Sequence, residues 1–511
     1  MREVVVIGAG HNGLVCAIML ARGGARVRVI EARHAIGGAV RTERPFAKAP
    51  GLGASTGAYL LGLMPPELMR LLEIDVPTVR RDPHYFLPTT ERRYLLFGSD
   101  EARTREQMTR FFSEADYAAH RAMQRELADI RDDVASTWLR EPLSIEETAE
   151  RHVRAPLRSA FVDLCRKPIS HYLARFGFKS DLLMAMYATT DAFSGLYGSW
   201  DTEGTGMNFL VHNMCRLPGA DGTWMIVKGG MGAVTAALES RCRSLGVTIE
   251  TGDPVTSIRV DGGTARGVVC ASGRSIDADA VVSNADPFVM RDLVGRALLP
   301  ADYNARLDAY GAKPGSTMKV NLALSGLPKF TCLPDAFSRP FAPTIHLLPD
   351  ERDVIGHLRE GFAAVQRGEL YDHPTIEWYV HTTLDPSLQD AEGRHNSALF
   401  VQWVPYEIAG SSWEVEEKRY VEKLLAICDR FAPGTSDLVV DVFALHPKKI
   451  EEHFGITRGH IHHVDNGWGF ADRLPYTTPI AGLYSCSAGT HPAGSVIGAA
   501  GHNAATCVLR A

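Results

Sequence analysis

The sequence predicts an α/β protein organised around a buried parallel sheet, with a ligand-binding turn at the end of its first strand. Three observations predict it. Glu3-Val4-Val5-Val6-Ile7 is an apolar run without a polar face, as expected of a strand covered on both sides. Gly8-Ala9-Gly10-His11-Asn12-Gly13 follows at once and opens an apolar helical stretch, Leu14 to Arg22. A second strand, Arg26-Val27-Arg28-Val29-Ile30, then ends in an acid, Glu31.

Each position has a physical reason. Gly8 allows the tight turn out of the strand, Gly10 lets the backbone approach a pyrophosphate, and Gly13 lets the helix pack close to the strand. The free N–H groups of the helix N-terminus face the phosphates. Glu31 is placed to accept hydrogen bonds from ribose hydroxyls, and its charge repels a 2′-phosphate, which argues against NADP. A glycine-rich loop alone is a weak signal; here strand, helix, second strand and acid all fall in place around it. These residues leave the dinucleotide as NAD or FAD.

At 511 residues, 45% hydrophobic and 22% charged, the chain is long enough for two or more globular domains. A formal net charge of -6 gives no global attraction to nucleic acid, and no such partner is expected. No stretch approaches the ~18 uninterrupted apolar residues of a membrane-spanning helix. Arg2 and Glu3, followed by a short strand that a glycine ends, do not read as a signal peptide. The expected location is cytoplasmic, with a peripheral membrane contact left open. The nine cysteines are dispersed without a C-x-x-C pair, so they read as reduced buried thiols, not as a disulfide framework, a zinc site or a redox dithiol.

Residues 44 to 75 are expected to continue the nucleotide-contacting loop and then leave the nucleotide domain. Between 105 and 135, Met108, Phe111, Phe112, Met123, Leu127, Ile130 and Val134 recur at three- and four-residue steps and predict helices of a cap. The stripe Leu182 to Tyr187 reads as core or as the wall of an apolar substrate tunnel. The chain returns through Lys228-Gly229-Gly230-Met231-Gly232, a helix from Ala233 to Leu245, a strand Val247 to Glu250, a hairpin-like stretch from Val255 to Ile276 and a buried strand Ala280 to Ala285. A second excursion, roughly 300 to 465, carries alternating strands Thr317 to Leu324 and Ala398 to Val404. They fit an antiparallel sheet with one face on a ligand. Gly482 to Gly489, a glycine-rich turn and a small-residue helix close the chain.

Several motifs are specific to one group. They are G-A-G-H-N-G-L-V at Gly8 to Val15, R-H-x-I-G-G-A at Arg33 to Ala39, G-G-M-G at 229 to 232, M-K-V-N-L-A-L at 318 to 324, L-D-P-S-L at 384 to 388, T-H-P at 490 to 492 and G-x-x-G-x-N-A-A at 498 to 505. By these the chain resembles the phytoene desaturase-like flavoproteins of the amine oxidase superfamily. Within it, the branch is that of the pyridine nucleotide-disulfide oxidoreductase domain-containing proteins and the oxygenase-type β-carotene ketolases. The chain departs from the group at Ala493, Ser495, His502 and the segment Cys486-Ser487-Ala488-Gly489.

The resemblance implies a discontinuous Rossmann-like FAD-binding domain (1–75, 228–300 and 466–511) with an inserted α+β substrate domain (76–227 and 301–465). FAD is favoured over NAD because Gly37 and Gly38 complete an E-x-R-x-x-x-G-G segment after the second strand. The implied cofactor-binding residues are Gly8, Gly10, His11, Asn12, Gly13, Glu31, Ala32, Arg33, Gly37, Gly38, Ala39, Val255, Gly489 and Val496. The implied reaction is dehydrogenation of a hydrophobic, polyene- or carotenoid-like small molecule. No second G-x-G-x-x-G stands where a nicotinamide domain would be, so the expected electron acceptor is O2 or a quinone. A flavin amine oxidase, a redox-neutral isomerase and a non-catalytic flavoprotein are the alternatives.

Two residues are candidates for catalysis. Lys319 lies in a strand similar to the one whose lysine approaches flavin N5 through water in amine oxidases; it also fits a plain lysine on an alternating strand. His491 stands before the last helix and is expected to orient substrate, to donate to the flavin or to hold the turn. Trp224 fits a wall of the flavin ring or a core position, and His460, His462 and His463 lack a companion acid or cysteine, so no metal site is expected.

Overall fold

In the computed structural model, which describes residues 1–220, 222–334 and 343–511, the first strand, β1 (Glu3–Ile7), is the centre of a five-stranded parallel sheet. Its neighbours are Ala280–Ser283 and β2 (Arg26–Glu31), and Leu483–Ser485 and Thr248–Thr251 form the edges. Segments from the start, middle and end of the chain thus share one sheet. The apolar run Val4 to Ile7 follows from this position. Val4 and Val6 pack under the first helix, α1 (His11–Arg22), and under helices Gly232–Ser244 and Ala499–Arg510. Val5 and Ile7 pack on the opposite face against a three-stranded antiparallel sheet built from 255 to 277. The last helix is small-residued because it lies directly on α1: a Cβ on Gly501 would run into the Asn12 carbonyl oxygen.

A second, seven-stranded sheet runs in the order Val439–Leu445, Thr317–Leu324, His395–Gln402, Thr375–Tyr379, Thr344–Leu347, Tyr85–Pro88, Tyr94–Phe97. Its pairings are antiparallel except for Thr344–Leu347 beside Tyr85–Pro88. Strand Thr317–Leu324 is buried throughout. Met318, Val320, Leu322 and Leu324 pack in the core that includes helix Trp413–Phe431, and Lys319 faces the other way. The hairpin Tyr85–Pro88 and Tyr94–Phe97 supplies two strands of this sheet.

The cap is a set of helices between Glu101 and His212 around one apolar core. The pattern read between 105 and 135 is two helices, Glu101–Phe111 and Glu114–Val134, because the side chains of Asp100 and Ser113 each cap a new N-terminus. The stripe Leu182 to Tyr187 is core: helix Asp181–Tyr187 packs inward, with Met186 buried and Met184 half-buried against the same cluster. A π-turn, Ala188–Ala192, continues that helix. Wide turns of this kind recur at functional sites, and this one delivers Thr190 and Asp191 to a cavity. No helix among the described residues is long and apolar enough to cross a membrane.

Candidate active site

The turn after β1 has the geometry its glycines predict. Gly8 is at φ +93°, its N–H donates to the Ile30 carbonyl at 2.8 Å, and a Cβ on Gly13 would run into the Gly8 carbonyl oxygen. Gly10 caps α1 without a side-chain hydrogen bond, so the first N–H groups of the helix are open to an anion. The Glu31 carboxylate accepts from Ala9 N at 2.7 Å and from Arg33 N at 3.0 Å, and Gly37 N donates to Ala9 O at 2.9 Å. The second glycine segment is thereby tied onto the first turn. Asn12 Oδ1 is buried beside them without a partner. A Cβ on Gly10 would stand 2.7 Å from Asn284 Nδ2, so that position is narrowed from the protein side as well.

A cavity of about 680 Å³ begins at this turn and continues into the space between the seven-stranded sheet and the cap. Gly8, Gly10, His11, Asn12, Glu31, Ala32, Arg33, Gly37, Gly38, Ala39, Val255, Val496 and Lys319 line it. Three expected site residues do not. Gly13 is occupied with packing α1 on the turn, and Gly489 lies behind the lining residue Ala488, its N–H donating to Ser487 Oγ at 3.1 Å. His491 is the larger correction. Its ring is buried against Phe470, 5.5 Å between centroids, and burial lowers its pKa to about 3. It packs behind the cavity instead of reaching into it.

Trp224, His462 and His463 line the cavity. The three histidines do not converge: His460 Nε2 lies 3.4 Å from Asp465 Oδ2, and His462 Nε2 is 3.1 Å from the Ser194 carbonyl.

The inner chamber is more polar than the sequence suggests. Lys319, Phe400 and Glu377 are register partners on three adjacent strands and form a row facing the cavity. Lys319 Nζ sits 4.2 Å from the Tyr59 ring centroid and 4.4 Å from that of Phe400. Burial lowers its pKa to about 7, against the opposing pull of Glu377. Burial raises Glu377 to about 8, although its carboxylate accepts from the Tyr379 hydroxyl. Asp191 is likewise raised by burial to about 7, opposed by bonds from Asn213 and Tyr85. Arg81 completes the group, 1% exposed, with Nε donating to Trp224 O at 2.8 Å and Nη1 to Thr344 Oγ1 at 2.5 Å.

Sequence reasoning missed Arg81, Asp191, Glu377 and Tyr379. Glu377 carried a usable signal, an acid in the middle of the otherwise apolar run Thr375 to Tyr379. Arg81, in Arg80-Arg81-Asp82, reads as solvated charge.

The sequence profile described as flavin containing amine oxidoreductase matches residues 13–326. The chain belongs to that family. It is 33% identical over 555 residues to pyridine nucleotide-disulfide oxidoreductase domain-containing protein 2 of Rattus norvegicus, covering 99% of this chain and 93% of the relative. It is 26% identical to the all-trans-zeta-carotene desaturase of Myxococcus xanthus, over 97% of this chain and 91% of that one. The fold is shared with the crystal structure of an oxidoreductase from Methanosarcina mazei, with a TM-score of 0.62, 18% identity and full coverage of both chains.

The chain is thus an FAD-dependent oxidoreductase, and its residues fit the cofactor. The uncapped start of α1 suits the pyrophosphate and Glu31 suits the ribose. The cavity continues past them to Lys319 and Glu377. All nine cysteines are free thiols.

Proposed function

We propose that this FAD-dependent oxidoreductase dehydrogenates a hydrophobic small molecule and passes the electrons to O2 or a quinone. The observation that carries the reading is the single cavity joining the dinucleotide turn to a chamber walled by Tyr59, Tyr379, Phe400, Trp224 and Ile461. FAD, when bound, supplies the two-electron acceptor for a hydride. The chain's residues bind and orient the apolar substrate, exclude water from it, and hold the proton released with the hydride. Glu377 and Asp191, with pKa values of about 8 and 7, are in range to hold that proton near neutral pH.

An amine oxidase reading has one specific support, the Tyr59 and Tyr379 rings 5.2 Å apart at the chamber wall. Arg81 disfavours it, since it places a permanent cation in the same chamber, which would repel an ammonium substrate.

The test is anaerobic. Purified holoenzyme is mixed with polyenes, with saturated apolar analogues and with primary amines, and bleaching of the flavin band near ~450 nm is followed before air is admitted. Bleaching by apolar C–H donors supports the proposal; bleaching by amines alone overturns it in favour of the second reading.

A further inference from the structure

Among the described residues two arginines are almost fully buried, and they differ in how they are satisfied. Arg473, 1% exposed, uses all three of its nitrogens, donating to the carbonyls of Thr490, Asp465, Trp468, Val464 and Ala488 and to Asn466 Oδ1. Its charge is spread over a shell of oxygens. Arg81, equally buried, has only the Trp224 carbonyl and the Thr344 hydroxyl, and its Nη2 has no partner. No described carboxylate forms an ion pair with it. Arg81 lines the chamber into which the substrate goes.

The nearby acids do not fill the gap. Glu377 is engaged by the Tyr379 hydroxyl and Asp191 by the Asn213 amide, and burial favours the protonated form of each. Arg81 remains charged across the physiological range, because burial lowers a guanidinium pKa only from a very high value. A buried, permanently charged donor with an unused N–H group, on a side chain that lines a cavity, is a site for an anion. The surrounding aromatic rings leave room for an apolar body attached to it.

We propose that the substrate is an apolar acid whose carboxylate binds Arg81 Nη2, with its hydrocarbon body along Tyr59, Tyr379 and Phe400. The inference rests on the dehydrogenase reading above and narrows its substrate class. Arg81 is here a binding residue that sets which end of the molecule enters the chamber.

The probes are decanoate, decanol and decylamine, three ten-carbon chains that differ at the head group, titrated into holoenzyme while the flavin band and Tm are followed. Decanoate is expected to perturb the band, raise Tm and bind at least ~10-fold more tightly than the other two. Arg81→Met is expected to abolish the preference for decanoate over decanol, and Arg81→Lys to retain part of it by keeping the charge without the fork. The preference is a ratio within each variant, so partial loss of folded protein does not mimic it. Equal binding of decanoate and decanol by the wild-type protein overturns the proposal, and so does a preference that survives in Arg81→Met. If both variants lose flavin, or shift its midpoint potential with the preference unchanged, Arg81 serves the cofactor and the proposal fails. A wild-type protein without FAD would sink the dehydrogenase reading instead; the decanoate effect on Tm would still show whether the anion site exists.

Discussion

Lys319 and Glu377 stand in one row of the seven-stranded sheet, each paired in register with Phe400 on the strand between them. Burial moves them in opposite directions, the lysine down to about 7 and the acid up to about 8, so the row sheds much of its charge near neutrality. For the lysine, the unfolded chain holds a proton that the folded chain gives up between about 7 and 10.5. Its burial therefore destabilises fully below that window, and the penalty fades as pH rises through it. Lys319→Met is expected to be more stable than wild type at pH 7 by about 1–3 kcal/mol and to lose that advantage toward pH 10. Urea unfolding at the two pH values checks this; an equal difference at both rules out desolvation of the amine as its source.

Glu377 has the opposite window. The folded chain keeps a proton that the unfolded chain releases between 4.5 and about 8, so its penalty grows as pH rises through that range. Glu377→Gln still offers an oxygen to the Tyr379 hydroxyl. The variant is expected to match wild type near pH 5 and to exceed it by about 1–3 kcal/mol at pH 8. Thermal or urea unfolding across that range reads the slope, and a flat difference contradicts it.

The nucleotide half of the site is legible in the sequence because backbone geometry there demands particular residues. A Cβ on Gly13 would strike the Gly8 carbonyl, Gly8 and Gly37 sit at positive φ, and Glu31 must end its strand to reach the Ala9 N–H. Neighbours in the chain are neighbours in space, so a local motif records the site. The substrate half has no such record. Arg81, Asp191 and Glu377 come from a loop, a π-turn and a strand brought together only by the tertiary fold, and each sits among residues typical of surface or core. His491 misled for the same reason: its place before the last helix does not say on which side its ring packs, and Phe470 decides it.

Glu31 gives a direct test of the cofactor site. Glu31→Gln weakens two backbone hydrogen bonds and removes the charge offered to the ribose. Charge-assisted bonds are worth about 1.5–3 kcal/mol, so FAD affinity is expected to fall about 10- to 100-fold. Fluorescence titration of apoprotein with FAD measures it. Unchanged affinity would place the adenosine ribose elsewhere.

His491 is expected to matter for stability and not for chemistry. His491→Ala leaves a hole beside Phe470 and should lower stability by about 2–4 kcal/mol, since the ring is fully enclosed. Flavin content and the pH profile of turnover in the surviving folded protein should match wild type. A shifted pH profile would return His491 to the reacting groups.

Lys319 should separate the two halves of the reaction. Its Nζ lies between the Tyr59 and Phe400 rings on the chamber wall and has a pKa of about 7, so it carries a positive charge below neutrality and loses it above. Electron transfer to O2 builds negative charge on the acceptor, which a nearby fixed cation favours; hydride loss from a substrate carbon draws no such benefit. Lys319→Met is therefore expected to slow reoxidation by air about 10- to 100-fold, while anaerobic reduction by substrate changes by less than about threefold. Wild-type reoxidation should itself slow as pH rises through about 7, and the variant should lose that dependence. Stopped-flow measurement of the two half-reactions decides it. If both slow together, Lys319 contacts substrate; if reoxidation by O2 is untouched while a quinone acceptor reoxidises the protein readily, the electrons leave by the quinone and the lysine serves the chamber's structure.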